Sequence, residues 1–186
     1  INHDGKIDLN DVVYIGDSNP NFVGGFGTSL KYRNLTFAMN FNYRLGFDIV
    51  NRVAIDTENM SGRDNQSKAV LNRWRVQGQN EAGMLPRAYL NHPANYLGSD
   101  RFVEKGDFIR LNSITLGYRI GQKLCDKMGL RSANLAFSAR KLLTFTNYSG
   151  QDPEVSMNAS NPFWIGEDRA NTPPSKVYTL SLSVGF

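Results

Sequence analysis

The feature that most constrains this chain is side-chain alternation with a period of two. Residues 177 to 186, VYTLSLSVGF, place Tyr178, Leu180, Leu182, Val184 and Phe186 in one phase and Thr179, Ser181, Ser183 and Gly185 in the other. Successive side chains of a strand point to opposite faces, so this stretch reads as a strand with one apolar face. Four further stretches read the same way. FVGGFGTSLKY (22 to 32) aligns Phe22, Phe26, Leu30 and Tyr32, and LTFAMNFNY (35 to 43) aligns Leu35, Phe37, Met39, Phe41 and Tyr43. DFIRLNSITLGYRI (107 to 120) and SANLAFSARKLLTF (132 to 145) complete the set. No helical period is sustained, so the predicted fold is all-β, an antiparallel meander of about five strands.

Local signals refine this. Only Arg33 and Asn34 separate the first two strands, and Asn tolerates positive φ, so they form a hairpin. In 107 to 120, Ile109 and Leu111 stand in one phase and Ile114, Leu116, Tyr118 and Ile120 in the other. That slip predicts a bulge near Leu111 to Ser113. The links at 33 to 34 and 121 to 130 are short, whereas 46 to 105 and 147 to 174 are long and rich in Asn, Gly, Pro and Ser. Short and long links in alternation are the pattern of an outer-membrane barrel, with turns on the periplasmic side and loops outside. A short helix is predicted near SKAVLNRW (67 to 74).

A soluble sandwich would carry charges on its outer face. Here the polar phase is mainly Ser, Thr, Asn, Gly and Ala, which suits a crowded or wet lumen. Aromatic residues stand near strand ends (Phe22, Tyr32, Tyr43, Phe108, Tyr118, Tyr178, Phe186), where interfacial girdles lie. The pattern therefore favours a membrane barrel over a soluble sheet protein. The chain has no run of 18 apolar residues, so no membrane-spanning helix is predicted; spanning strands need only about ten residues each. Net charge is +4, but Lys and Arg are scattered without a basic block, so nucleic acid is not an expected partner. The single cysteine, Cys125, excludes an internal disulfide and a multi-cysteine zinc site.

NHDGKIDLND (2 to 11) is similar to the latter part of a calcium loop. Asn2, Asp4 and Asp8 offer oxygens at alternate positions, Lys6 its carbonyl, Gly5 a sharp turn, and Asp11 a closing carboxylate. The first expected ligand would precede Ile1, Asp11 replaces the usual Glu, and no flanking helix pair is evident; a metal-free Asp/Gly turn is the alternative. QDPEV (151 to 155) carries Asp152 and Glu154, but Pro153 favours a rigid turn over a catalytic pair. His3 and His92 have no metal spacing, Cys125 has no base partner, and phosphate-loop and nucleophile-elbow motifs are absent, so enzyme activity is not expected. The glycines of GGFG (24 to 27) fail the dinucleotide pattern and relieve crowding within a strand. Trp74, Tyr89, Tyr96, Phe163 and Trp164 lie in the long links, where they stack on sugars or pack the loops together.

Five stretches in order carry a family resemblance: NHDGKIDLNDVVYIGDSNPNFVGGF (2 to 26), RW (73 to 74) with LPRA (85 to 88), SDRFVEKGDFIRLNSITLGYRI (99 to 120), LTFTNYSGQDPEV (143 to 155), and the terminal strand. The chain resembles the C-terminal part of a SusC/RagA-like TonB-dependent outer-membrane transporter. One departure is Arg140-Lys141, where the family commonly has Gln-Asn. The resemblance implies a barrel of about 22 strands behind a plug domain, with this chain, which opens in a loop-like segment, a fragment holding the last five strands.

On that basis residues 1–21 form a calcium-loop-like extracellular segment, 22–45 a strand hairpin, 46–106 a long extracellular loop, 107–146 a second hairpin, 147–174 an extracellular loop and 175–186 the terminal strand. The implied function is outer-membrane import of nutrients, glycan by the commoner family role. The implied partners are a SusD-like surface lipoprotein, TonB through a missing N-terminal region, outer-membrane lipid and the barrel-assembly machinery. Calcium is the one cofactor expected, in a structural role. Tyr178, Leu180, Leu182, Val184 and Phe186 would form the assembly signal. The competing reading is a soluble secreted β-sheet module that binds glycans with a calcium-stabilised loop.

Overall fold

The computed structural model describes residues 4–5, 9–79, 82–91, 95, 98–154 and 165–186. The elements are β1 (Phe22–Tyr32), β2 (Leu35–Leu45), β3 (Asp48–Asn51), α1 (Arg52–Glu58), β4 (Val103–Lys105), β5 (Phe108–Arg119), α2 (Gln122–Lys127), β6 (Ser132–Thr146), β7 (Glu167–Asp168) and β8 (Val177–Gly185). They form two compact units: a sheet unit of residues 20–46, 106–148 and 172–186, and a loop unit of 1–19, 47–105 and 149–171. Among the described residues no helix is long and apolar enough to cross a membrane.

The sheet unit is a five-stranded antiparallel sheet in the order β1-β2-β5-β6-β8. Its strands are 9 to 15 residues long. Each pairs with the next one along the chain in this unit, as a meander requires. The predicted slip is a bulge. Asn40 pairs with Ser113 and Phe41 with Leu111, leaving Asn112 as an extra residue in β5. The bulge returns Ile109 and Leu111 to the face carrying Ile114, Leu116 and Tyr118. Opposite Asn112 on β6, Lys141 and Leu142 fall between the pairs Ser113–Arg140 and Leu111–Leu143.

Two turn details differ from expectation or sharpen it. In the β1–β2 hairpin the positive φ falls on Arg33 (52°), while Asn34 stays outside that region and its carbonyl accepts the Arg119 amide at 2.8 Å. Positive φ at the first central residue alone is the II′ pattern, which follows the right-handed strand twist as well as the I′ turn that Asn would favour. The link after β5 is not a bare turn: α2 occupies it, pinned by Cys125, which is buried with its thiol 3.7 Å from the Ile120 carbonyl.

The loop unit contains the main departure from the sequence reading, because the two long links hold structure of their own. Three short strands form a sheet in the order β4-β3-β7, antiparallel between β3 and β4 and parallel between β3 and β7. Strands of two to four residues are too short for alternation to register. Phe47, Ile49, Ile55 and Phe102 are buried in this unit. The helix expected near 67 to 74 is a single 3-10 stretch, Lys68–Asn72, capped by the Ser67 hydroxyl accepting the Ala69 amide.

At the β6 bulge Lys141 has φ 55°, the left-handed region in which Asn is several-fold enriched and a lysine is strained. The Asn that the resemblance implies at this position would thus have a backbone reason. Lys141→Asn in the full-length protein is expected to raise stability by about 0.5–1 kcal/mol, read as a higher melting temperature in detergent; an unchanged or lower value would contradict it.

Candidate functional site

The candidate site is the sheet itself, which has two chemically different faces. Residues paired across an antiparallel ladder share a face, so the register assigns every side chain. One face carries Phe22, Phe26, Leu30 and Tyr32 of β1 opposite Leu45, Phe41, Phe37 and Leu35 of β2. It continues through Ile109, Leu111, Ile114, Leu116 and Tyr118 of β5 and Phe145, Leu143, Phe137 and Leu135 of β6. It ends on Tyr178, Leu180, Leu182 and Val184 of β8. Most of these side chains stand open, Leu180 72% exposed, Phe26 56% and Leu116 42%, while Phe37, Phe41, Leu45 and Ile114 are half-buried and Leu111 is buried. Fully burying one such side chain stabilises by about 1.5–3 kcal/mol. Soluble monomers rarely leave a contiguous apolar patch beyond a few hundred Å² uncovered, so the face marks an interaction surface.

Aromatic packing ties neighbouring strands together on this face. Phe26 stacks on Phe41 with ring centroids 4.9 Å apart, and Phe137 stacks on Tyr178 at 6.4 Å. Gly24 belongs here too. A Cβ at that position would lie 2.6 Å from the Tyr43 hydroxyl, so the glycine makes room for the cross-strand tyrosine.

The opposite face is built of Gly, Ser, Thr, Asn and Ala, apart from Val23, Phe108 and Val177 and five cations, Lys31, Arg44, Arg110, Arg119 and Arg140. Among the described strand residues of this face there is no carboxylate. Arg110 is buried, donates from Nε to the Thr144 hydroxyl at 3.0 Å and lies 5.3 Å from the Phe108 ring centroid. The Asn40 amide donates to the Ser113 hydroxyl at 3.2 Å.

At the strand ends where the long links depart, the sheet is stapled. Asp107 accepts the Gly46 amide on its carboxylate at 2.6 Å, and its carbonyl accepts the Thr146 hydroxyl at 2.8 Å. Within the loop unit, Asn51 caps α1 by accepting the Ala54 amide at 2.9 Å, and its own amide donates to Glu104 at 2.8 Å and to the Ser149 hydroxyl at 3.2 Å. Ser149 in turn donates its hydroxyl and backbone N–H to the two Glu104 oxygens at 2.7 and 2.9 Å. Beside this network lies a cavity of about 370 Å³ whose lining includes Asn51, Glu58, Ser149, Gln151, Asp168 and Asn171.

Asp48 holds another junction of the loop unit, accepting Lys105 Nζ at 2.7 Å and the Asp17 amide at 3.2 Å. Partial burial pushes its carboxyl up, but the Lys105 ammonium and the Asp17 N–H outweigh burial and hold it below the ordinary carboxylate value.

The residues singled out from sequence fall as follows. Asn2, Lys6 and Asp8 of the calcium-loop stretch lie outside the described residues. Of the rest, Gly5 has φ 79°, in keeping with a sharp turn, Asp4 is exposed, and Asp11 closes the 3-10 stretch Leu9–Asp11. Among the described residues no group of three or more His, Cys, Asp or Glu is placed to hold a metal. Asp152 and Pro153 are buried, and Asp152 accepts the Glu154 amide at 2.9 Å, which is an Asx turn. Tyr89 packs under the Arg87 guanidinium at 5.0 Å, and Trp74 is half-buried; His3, His92, Tyr96, Phe163 and Trp164 lie outside the described residues. Of the assembly-signal residues, Tyr178, Leu180, Leu182 and Val184 stand on the apolar face, and Phe186, just beyond β8, is exposed.

No protein-family model matches the chain. It is 30% identical over 186 residues to TonB-dependent receptor P3 of Formosa agariphila, covering 98% of this chain and 18% of the receptor. TonB-dependent receptor P39 of the same organism is 30% identical over 194 residues, covering 100% and 18%. This chain is a homologue of TonB-dependent receptors. The fold agrees: the RagAB peptide importer in its closed-closed state superposes with a TM-score of 0.75 at 25% identity, over 91% of this chain and 18% of the matched chain. A second structure of the RagAB peptide transporter matches with a TM-score of 0.73 at 25% identity, over 91% and 17%. The chain therefore spans less than a fifth of the length of the TonB-dependent receptors it matches.

The structure also brings several of these sequence stretches together in space. The RW and LPRA stretches of the receptor homologue meet in a parallel bridge between Arg73 and Leu85, where the Trp74 amide donates to the Leu85 carbonyl at 2.8 Å. Glu104 and Ser149, from two other stretches, meet in the Asn51 network.

Proposed function

We propose that this chain forms part of the wall and outer loops of an outer-membrane TonB-dependent nutrient importer. The observation that carries the reading is the apolar face, continuous over five strands and largely exposed, with a small-residue polar face behind it. Five strands do not close a barrel of the size the resemblance implies, so β1 and β8 are proposed to pair with strands beyond this chain. The outer half of the importer is proposed to take a SusD-like lipoprotein as its lid, with TonB acting through a plug elsewhere in the protein. Glycan is the cargo the resemblance favours. Peptide is the second reading, favoured by the match to an importer described as taking peptide.

Lipid contact is tested by a pair of adjacent substitutions in the full-length protein. Leu116→Arg places a charge on the apolar face, at a cost of about 2–4 kcal/mol near the bilayer midplane, whereas Thr115→Arg places it on the polar face. The first is expected to reduce the membrane-assembled fraction at least tenfold and the second to leave it near wild type. Equal effects, or a wild-type protein monodisperse without detergent, would overturn the barrel reading in favour of a soluble glycan-binding module.

The alternating apolar residues of β8 with Phe186 are proposed as the signal read by the barrel-assembly machinery. Deleting Phe186 from the full-length protein is expected to lower surface levels several-fold while uptake per assembled molecule is unchanged; unchanged surface levels would contradict it.

Residues 2 to 11 are proposed to bind calcium in a structural role, through Asn2, Asp4, Asp8, Asp11 and the Lys6 carbonyl. Calorimetric titration of calcium into the full-length protein is expected to show binding that Asp4→Ala and Asp8→Ala each weaken; flat traces for all three would remove the site.

A further inference from the structure

Charge in this chain is divided between its two units. The sheet unit holds eleven Lys and Arg against two Asp, whereas the loop unit holds ten against fifteen Asp and Glu. Within the sheet unit the cations gather at the end of the short links. Lys31, Arg33, Arg119, Lys123, Lys127 and Arg131 stand there, all exposed, against Asp126 as the sole carboxylate side chain among the described residues of that end. Asp126 is engaged by Gln122, whose amide donates to it at 2.8 Å. Among the described residues none of the six cations makes an ion pair; Arg33 rests 5.3 Å from the Tyr32 ring centroid.

This end is a fixed rim. The Arg119 amide donates to the Asn34 carbonyl, Ile120 to Ala133 and Arg131 to Gly185, each at 2.8 Å, so the ladder continues through the links. The link helix α2, with the residue that caps it, adds a second chemistry. Leu124 and Met128, four residues apart, are 52% and 59% exposed, beside Lys123 and Lys127 at the same spacing. Its apolar anchor is instead Cys125, which faces inward. Tyr32 and Tyr118 end the apolar face at this same rim and are exposed.

Exposed apolar side chains interleaved with lysine and arginine, at the end of a lipid-facing strand, are the composition of a surface that lies in a headgroup layer. A protein partner would be met by polar groups of both signs; here the rim carries a near-uniform positive field. We infer that the short-link rim docks on anionic phospholipid headgroups, with Leu124 and Met128 seated at the acyl boundary and the link cations Arg33, Lys123, Lys127 and Arg131 on the phosphates. The inference rests on the barrel reading above and goes beyond it in naming the sign and place of the lipid contact.

The test uses the full-length receptor, extracted in mild detergent and exchanged into bilayers of phosphatidylethanolamine with or without phosphatidylglycerol. Wild type is expected to retain phosphatidylglycerol on repurification in excess of its share of the bilayer. Each cation near an anionic surface contributes roughly a fivefold preference, so Lys123→Glu with Lys127→Glu is expected to cut that excess at least tenfold. Lys123→Gln with Lys127→Gln is expected to cut it by a smaller factor with surface levels unchanged, which separates headgroup binding from misfolding. A membrane-embedded receptor with no excess, or with one that neither variant changes, overturns this inference alone and leaves the rim to a protein partner. A receptor that needs no detergent overturns the barrel reading and this inference with it.

Discussion

Everything in the sheet unit depends on one geometric constraint: the ladder keeps the apolar side chains of five strands on the same face. Because side chains alternate strictly, a slip of one residue in any strand would carry its whole apolar set to the other side. β5 contains such a slip within its sequence, and the bulge at Asn112 cancels it. Were Asn112 paired in the ladder instead of bulged out of it, Ile109 and Leu111 would face the Asn, Ser and Arg side, and the apolar surface would be broken across its middle strand. The bulge is therefore as much a part of the wall as the leucines it realigns.

That constraint also explains what the sequence disclosed. The strands of the large sheet are long enough for a period of two to be counted, and their bounds follow from it within about two residues. The slip between Leu111 and Ser113 was legible for the same reason. The loop unit was not, because β3, β4 and β7 hold four, three and two residues. Its order comes instead from side-chain bonds between residues far apart in sequence, such as Asn51 with Glu104 and Ser149. No local pattern announces a bond that spans 53 or 98 positions. The hairpin turn shows the finer limit, since the link length gave the hairpin while the left-handed residue proved to be Arg33 rather than Asn34.

The candidate site divides along the same line. The faces of the wall could be written down from the alternation, including the residues of β8. The meeting of RW with LPRA could not, because a single bridge between Arg73 and Leu85 leaves no periodic trace. Nor could the charge separation, which is hidden in a modest net charge of +4 and emerges only once residues are sorted by unit. A chain with scattered cations in sequence is thus one with gathered cations in space, because the strands bring Lys31, Arg119 and Arg131 to one end.

The staple at Asp107 has a consequence for how such a chain changes over time. Gly46 and Asp107 are held to each other by one hydrogen bond of 2.6 Å, and between them the chain makes the whole excursion from Phe47 to Lys105. The start and finish of that insertion are adjacent and fixed by the wall, independent of what lies between. An excursion of another length or sequence can be spliced at the same two points without shifting a rung of the ladder. The sheet then acts as a socket, and the inserted segment as a cartridge that can be exchanged while the socket keeps its shape.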